Sequence, residues 1–418
     1  MSKAQIYLDH NATTPLDPRV AGVLDDCHRA GYANPASQHD AGRRARRMLE
    51  QARNGVARLL GANASDMQAD TLIFTSGATE ANNLALFGLL RRTDFQSVHP
   101  PASSGGPAGR IVISSIEHSS VGGPAEELER RGFEVLRLRV SRDGVTDVDH
   151  LRELLESAET DPTQPKLQLV SVILGNHETG VLQPVAEIAA LCQSAGVPLH
   201  TDATQVVGKL PVDFRDLGAS ALSFSAHKFH GPPGIGGLLL RSGVKLRPHQ
   251  FGGFQQAGLR PGTESVSLAA GLHATLQLWR DEAGERAQRM TELRDRFEAA
   301  LRAELPNIVV HGAAAARLPH TSGIAFPGLD RQALLMALDQ AGVACSTGSA
   351  CASGSSEPSA VLLAMGCEKA QIEGSLRFSL GAFTTPVDID QAAGRISNVV
   401  NHLRNQKSPS KSPATSRQ

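Results

Sequence analysis

The run Ser223, Phe224, Ser225, Ala226, His227 and Lys228 closes an apolar stretch with a lysine, and far downstream Cys351 sits in the small-residue run Ser346–Ser356. A lysine that can carry a Schiff base and a thiol on a flexible loop together permit covalent amine and sulfur chemistry. Ala219–Phe224 reads as a short buried strand and Ile235–Leu240 as the next, with Gly231, Pro232, Pro233 and Gly234 making the turn between them. Lys228 is therefore expected at a strand end, where a partly apolar setting makes the neutral amine easier to reach. A free Cys is usually a small buried hydrophobe. The Gly/Ser surroundings of Cys351 offer no such shelter and suit a thiol that travels.

Other expected strand ends carry further polar groups. Val197–Thr201 leads into Asp202, Ala203, Thr204 and Gln205. Asp202 either caps the next helix or holds the pyridine nitrogen of pyridoxal phosphate (PLP) protonated, which makes that ring an electron sink. Ser76, Gly77, Ala78, Thr79 and Glu80 lie between an expected strand, Thr71–Thr75, and an expected helix, Ala81–Leu90. They form either a phosphate cup of backbone N–H groups and hydroxyls or an ordinary Ser cap. Ile111–Ser114 delivers His118, which either stacks on a planar cofactor and moves protons or is structural. Arg377 offers a fork for a carboxylate, or for an interface ion pair.

Strands alternating with helices predict an α/β fold, its sheet mainly parallel and covered on both faces. With 418 residues and 41% hydrophobic content the chain can build a large core in two or three structural domains. The balance of 41 Lys plus Arg against 42 Asp plus Glu gives no global field towards nucleic acid or membrane. Arg43, Arg44, Arg46 and Arg47 form the one basic cluster. Ala45, Met48, Leu49, Ala52, Val56, Leu59 and Leu60 recur behind them, so this is the wet face of an amphipathic helix. No apolar stretch could serve as a signal core or span a bilayer, which makes the cytoplasm the default location. Five scattered cysteines, Cys27, Cys192, Cys345, Cys351 and Cys367, match neither a disulfide framework nor a zinc site, and no metal is expected. Cys345 follows Val343 and Ala344 and is expected to be buried rather than to act as a resolving thiol. Arg92–Gly109 reads as an exposed insertion and Asn405–Gln418 as a disordered tail.

In order along the chain stand Tyr7-Leu8-Asp9, NATTP at Asn11–Pro15, NPAS at Asn34–Ser37, FTSGATEANN at Phe74–Asn83, EHSSV at Glu117–Val121, TDATQ at Thr201–Gln205, SFSAHK at Ser223–Lys228, STGSACAS at Ser346–Ser353 and LRFSLG at Leu376–Gly381. With these motifs over nearly its whole length, the chain resembles the PLP-dependent cysteine desulfurases of the NifS/IscS type, within the class V aminotransferases.

That resemblance implies PLP fold type I: a large cofactor domain at about residues 16–260, a smaller α+β domain from 1–15 and 261–404 carrying the cysteine loop, and a tail at 405–418. It implies Lys228 as the Schiff-base lysine, Asp202 at the pyridine nitrogen, and His118 as stacking imidazole and acid/base. Ala78, Thr79, Ser225 and His227 would hold the phosphate, with Thr263 reaching across from the second subunit of a homodimer. Gln205 would approach the phenolic oxygen, Asn34 and Arg377 would receive the carboxylate of L-cysteine, and Cys351 would take its sulfur as a persulfide, releasing alanine. An iron-sulfur scaffold or another acceptor protein would receive that sulfur.

Two features depart from the family pattern. The tail differs from the longer C-terminus that housekeeping members use towards their scaffold, and the family's NNETG is here Asn176, His177, Glu178, Thr179, Gly180. His177 thus replaces an Asn facing the cofactor oxygen, and as a histidine it is expected to titrate in the physiological range. Selenocysteine lyase is the alternative that would use nearly the same site. An aminotransferase would have no need of the Cys351 loop, and a non-catalytic scaffold no need of Lys228, Asp202 and Cys351 together.

Overall fold

The computed structural model describes residues 5–65, 67–90, 109–160, 165–348 and 357–407. At its centre is a seven-stranded sheet in the order Thr71–Thr75, Gly236–Leu240, Ala221–Ser225, Leu199–Asp202, Leu167–Ser171, Arg110–Ser114, Glu134–Leu138. From Ala221–Ser225 to Glu134–Leu138 all neighbours run parallel, while Gly236–Leu240 runs antiparallel to both of its neighbours. Side chains alternate between faces, as strand geometry requires. Leu72, Phe74 and Val112 enter one apolar layer, and Ile73, Ile111 and Ile113 enter the other. Helices Asp40–Leu59 and Val185–Ser194 cover the first face; Ala78–Gly88 and Ser119–Arg130 cover the second.

A second apolar core joins the chain's two ends. Ile6–Tyr7 pairs in parallel with Val343–Ala344, and Ser375–Ser379, Thr321–Ala325 and Val309–Val310 form an antiparallel sheet. Leu8, Phe297, Phe326, Phe378 and Ile396 pack between these strands and the helices. The helix Val266–Glu304 has 39 residues, about 58 Å at the usual rise. Its Leu272 and Leu276 belong to the first core, whereas Leu293, Phe297 and Leu301 belong to the second. One rod thus spans both.

Helix Asp40–Leu59 is amphipathic as expected, burying Ala45, Leu49, Ala52 and Val56 while Arg43, Arg44, Arg46 and Arg47 are exposed. Among the described residues no helix is long and apolar enough to cross a membrane. Residues 92–108 of the expected insertion and Cys351 lie outside the described residues. Of the expected tail, 405–407 continue the final helix Pro386–Lys407, and 408–418 lie outside the described residues.

Candidate active site

Six strands with the same sense, Thr71–Thr75, Arg110–Ser114, Glu134–Leu138, Leu167–Ser171, Leu199–Asp202 and Ala221–Ser225, point their carboxyl ends at one edge of the central sheet. Ligands of open α/β sheets bind at such an edge. Here it carries a cleft of roughly 420 Å³ lined by Ser76–Glu80, His118, His177, Asp202, Thr204, Gln205, Ser225, His227 and Lys228. A larger hollow of roughly 910 Å³, lined by Arg215, Arg241 and Lys245 among others, opens at the opposite edge, away from these groups.

Lys228 ends the short 3₁₀ turn Ala226–Lys228 that follows strand Ala221–Ser225. Its Nζ donates to the carbonyl oxygens of Asn11 at 2.7 Å and Ala12 at 2.8 Å. Burial, with the Arg377 guanidinium adding, pushes the amine down to about 8, against the pull of Asp202 and Asp9. The strand-end lysine is therefore still mostly charged at neutral pH, but its neutral form is reached far more easily than that of an exposed lysine.

Asp202 terminates strand Leu199–Asp202 and is 3% exposed. One carboxylate oxygen accepts from the Thr204 N–H at 2.9 Å, the other from Asn82 Nδ2 at 2.8 Å. Asn82 Nδ2 also donates to Ser120 Oγ at 2.8 Å, and that hydroxyl lies 2.8 Å from His118 Nδ1. Nδ1 accepts from the Ser120 N–H as well, so neutral His118 carries its proton on Nε2. Burial, reinforced by Lys228 and Arg377 and opposed by Asp202, holds His118 below the usual histidine range. Asp202, Asn82, Ser120 and His118 thus form one continuous polar line along the cleft.

At the other end of the cleft, Gly77 caps helix Ala78–Gly88 without any side-chain hydrogen bond to the helix start. Gly236 must be glycine for this cup to meet the sheet, because a Cβ there would lie 2.5 Å from the Phe224 carbonyl and 2.8 Å from Gly77 Cα. Ser225 and His227 stand beside the cup on the same cleft. His227 is pushed down to about 4, chiefly by burial, and presents a neutral ring.

A PLP molecule has chemistry that these residues fit. His177 Nδ1 and Thr204 Oγ1, both on the cleft, are buried without a hydrogen-bond partner. Among the described residues no cationic side chain lies within ion-pair distance of the Asp202 carboxylate. Unpaired buried polar groups of this kind are rare unless a ligand completes them.

Asn34 and Arg377 are not among the residues lining the cleft. Asn34 is exposed, its Oδ1 accepting from Ala36 N at 2.9 Å. Arg377 is buried and reaches Asp9 Oδ1 at 2.8 Å and the His177 carbonyl at 3.0 Å, leaving Nε without a partner. Thr263 is exposed in the single chain. The expectation that His177 titrates near neutral pH is corrected by its surroundings. The ring is buried edge-on to His118, with centroids 4.9 Å apart. Burial, then His118, Arg377 and Lys228, hold it well below the ordinary value, so it is neutral. The Asn176 side chain is fully engaged, its Oδ1 accepting from Glu178 N and Thr179 N at 2.9 Å each and its Nδ2 donating to the Ile116 carbonyl at 3.0 Å.

Asn82 and Asn11 reach the site although their places in FTSGATEANN and NATTP suggest no role there. Asn82 left a signal, a fully buried amide in the otherwise apolar helix face of Ala81, Leu84 and Ala85. Asn11 left none, since it acts on Lys228 through its backbone.

A profile of the aminotransferase class-V family matches residues 6–392. The chain belongs to that family and, within it, to the NifS/IscS-like cysteine desulfurases. It is 40% identical over 388 residues to an IscS-like cysteine desulfurase of Mycobacterium tuberculosis, covering 92% of this chain and 94% of that one. The solved structure of a NifS-like protein from Rickettsia africae superposes with a TM-score of 0.82 at 31% identity, over 95% of this chain and 99% of the other. SspA in complex with cysteine matches at TM-score 0.74 and 30% identity, over 91% and 99% of the two chains.

Proposed function

We propose that this chain converts L-cysteine to L-alanine, taking the sulfur as a persulfide on Cys351 and passing it to an acceptor protein such as an iron-sulfur scaffold. The observation that carries the reading is the meeting of a low-pKa lysine and a buried carboxylate on one cleft, Lys228 and Asp202, in a chain of this family. That the SspA structure contains cysteine supports the choice of substrate.

PLP would be held by the Ala78 and Thr79 end of the helix, Ser225 and His227 at its phosphate, Asp202 at its ring nitrogen, and Gln205 and His177 at its phenolic oxygen. When bound it supplies an aldehyde for amines and a ring that withdraws electrons. The protein's own groups do the rest. Asp202, fixed by Asn82 and Thr204, keeps the ring nitrogen protonated. Lys228 would move the substrate Cα proton at Nζ. His118, with Nδ1 committed to Ser120, offers Nε2 for proton exchange. Cys351 sulfur attacks the substrate sulfur: an S–S bond forms, the C–S bond breaks with its electron pair left on carbon, and protonation of that carbon completes alanine. Arg377 and Asn34 receive the substrate carboxylate, Arg377 exchanging Asp9 for it.

The working unit is a homodimer. Phe251 and Phe254 are each 85% exposed on the segment leading to Thr263, and a second copy over this segment would cover them while Thr263 meets the partner's phosphate site.

The test is turnover by the PLP-loaded protein with L-cysteine, L-selenocysteine and other amino acids, with and without a keto acid. Alanine from L-cysteine without a keto acid supports the reading. Strong preference for selenocysteine would make the chain a selenocysteine lyase, and obligatory keto-acid consumption would make it an aminotransferase.

A further inference from the structure

Lys209 has no part in the chemistry above, yet its amine is buried beside the site and the residue is only 4% exposed. Around it are His10, His230, His320, Lys228 and Arg377, and among the described residues no carboxylate lies within ion-pair distance. An amine in such a place is costly unless its hydrogen bonds are specific. Its bond is to Gln205 Oε1 at 2.9 Å. The turn is built to allow it: Gly208 has φ +71°, and a Cβ there would stand 2.3 Å from the Phe229 ring.

Gln205 has two nearly isosteric ends, and its partners decide which faces where. The Asn11 carbonyl, which can only accept, takes one Nε2 hydrogen at 3.0 Å. Lys209 occupies the oxygen, donating an N–H in either of its protonation states. Only the second Nε2 hydrogen remains for the cleft. We propose that Lys209 is a positioning residue that holds Gln205 by its oxygen, so that this side chain offers the cleft a donor and never a carbonyl. The proposal rests on the reading of Gln205 as the neighbour of the phenolic oxygen of PLP. A donor there favours the oxygen's anionic form and so lowers the affinity of the proton shared between that oxygen and the Lys228 nitrogen.

The readout is the pH titration of the visible absorption band of PLP-loaded protein, which needs no turnover. Asp202, Asp9, Arg377, His118, His177 and His227, the other titratable and charged groups facing Lys228, are the same in every variant. Gln205→Ala should raise the midpoint, and Lys209→Met should raise it by a similar amount, roughly tenfold in proton affinity. Lys209→Gln, uncharged but able to donate to Gln205, should restore most of the wild-type value. Lys209→Leu serves the same purpose should the Met variant not fold. If Gln205→Ala leaves the midpoint unmoved, the reading of Gln205 itself fails and the proposal with it. If Gln205→Ala moves it and Lys209→Met does not, the role of Lys209 alone is overturned. A Lys209→Gln variant shifted as far as Lys209→Met would assign the effect to charge and overturn the positioning role.

Discussion

The Lys228 amine donates to the Asn11 carbonyl at 2.7 Å although 217 residues separate the two. Asn11 is itself tied to the small sheet, its N–H donating to Ser379 Oγ at 2.8 Å and its Nδ2 to Thr321 Oγ1 at 3.0 Å. The Lys228 amine is therefore seated by the second core as well as by its own strand.

That seat sets a pH dependence. A lysine pushed down to about 8 is charged below that pH and neutral above it, so covalent capture of PLP by cofactor-free protein should speed up through a midpoint near pH 8. Borohydride trapping at timed intervals, followed by peptide mapping, measures the rate and places the label on Lys228. Arg377→Ala removes a cation that lowers this pKa and should move the midpoint upward. A wild-type midpoint in the ordinary lysine range, about 10.4, would contradict the assignment.

Asn82→Ala should be damaging well beyond its size. It removes the donor shared by Asp202 and Ser120 in a fully buried position, leaving acceptors unsatisfied. The expected cost is about 1–3 kcal/mol in denaturant unfolding, with kcat reduced ten- to a hundredfold, on the order of two unsatisfied buried groups. Asn82→Asp should be worse, since it sets a second carboxylate against Asp202. Unchanged kcat in either variant would remove the polar line from the mechanism.

His177→Asn tests whether the buried imidazole stays neutral. Because burial keeps the imidazole neutral, the visible band of the loaded wild-type protein should titrate in one step across the physiological range. The Asn variant should do likewise. Two linked steps in wild type that merge in His177→Asn would show that the ring does titrate there.

Shared sites in a dimer predict complementation. Mixing a Thr263→Ala chain with a Lys228→Ala chain should recover activity in the heterodimer, because one of its two sites would have both residues intact. Sedimentation showing a monomer at working concentration, or no recovery on mixing, would contradict the shared arrangement.

Much of this was legible in the sequence where local pattern and chemistry coincide. Apolar runs followed by Ser76, His118, Asp202 and Lys228 announced strand ends, and the common sense of those strands brings the residues to one edge. Contacts made by remote backbone were not legible: nothing in Asn11 or Ala12 as residue types tells that their carbonyls receive Lys228. Nor does residue type give the microenvironment. His177 read as a physiological titrator, and only its burial against His118 removes that property. Cys345, expected to be a buried strand residue, is half-buried just beyond the strand Val343–Ala344, although desolvation of its thiol still pushes it up to about 12.

Sulfur transfer to Cys351 can be read by mass spectrometry of the protein after a single turnover with L-cysteine. One added sulfur on the Cys351 peptide, matched mole for mole by alanine, is predicted for wild type and for Cys345→Ala, whose thiol is too weakly acidic to compete as a thiolate. Cys351→Ala should still bind L-cysteine, seen as a spectral change of the loaded protein, yet yield neither persulfide nor alanine. Full alanine production by Cys351→Ala, or the added sulfur on another cysteine, would rule out Cys351 as the sulfur acceptor.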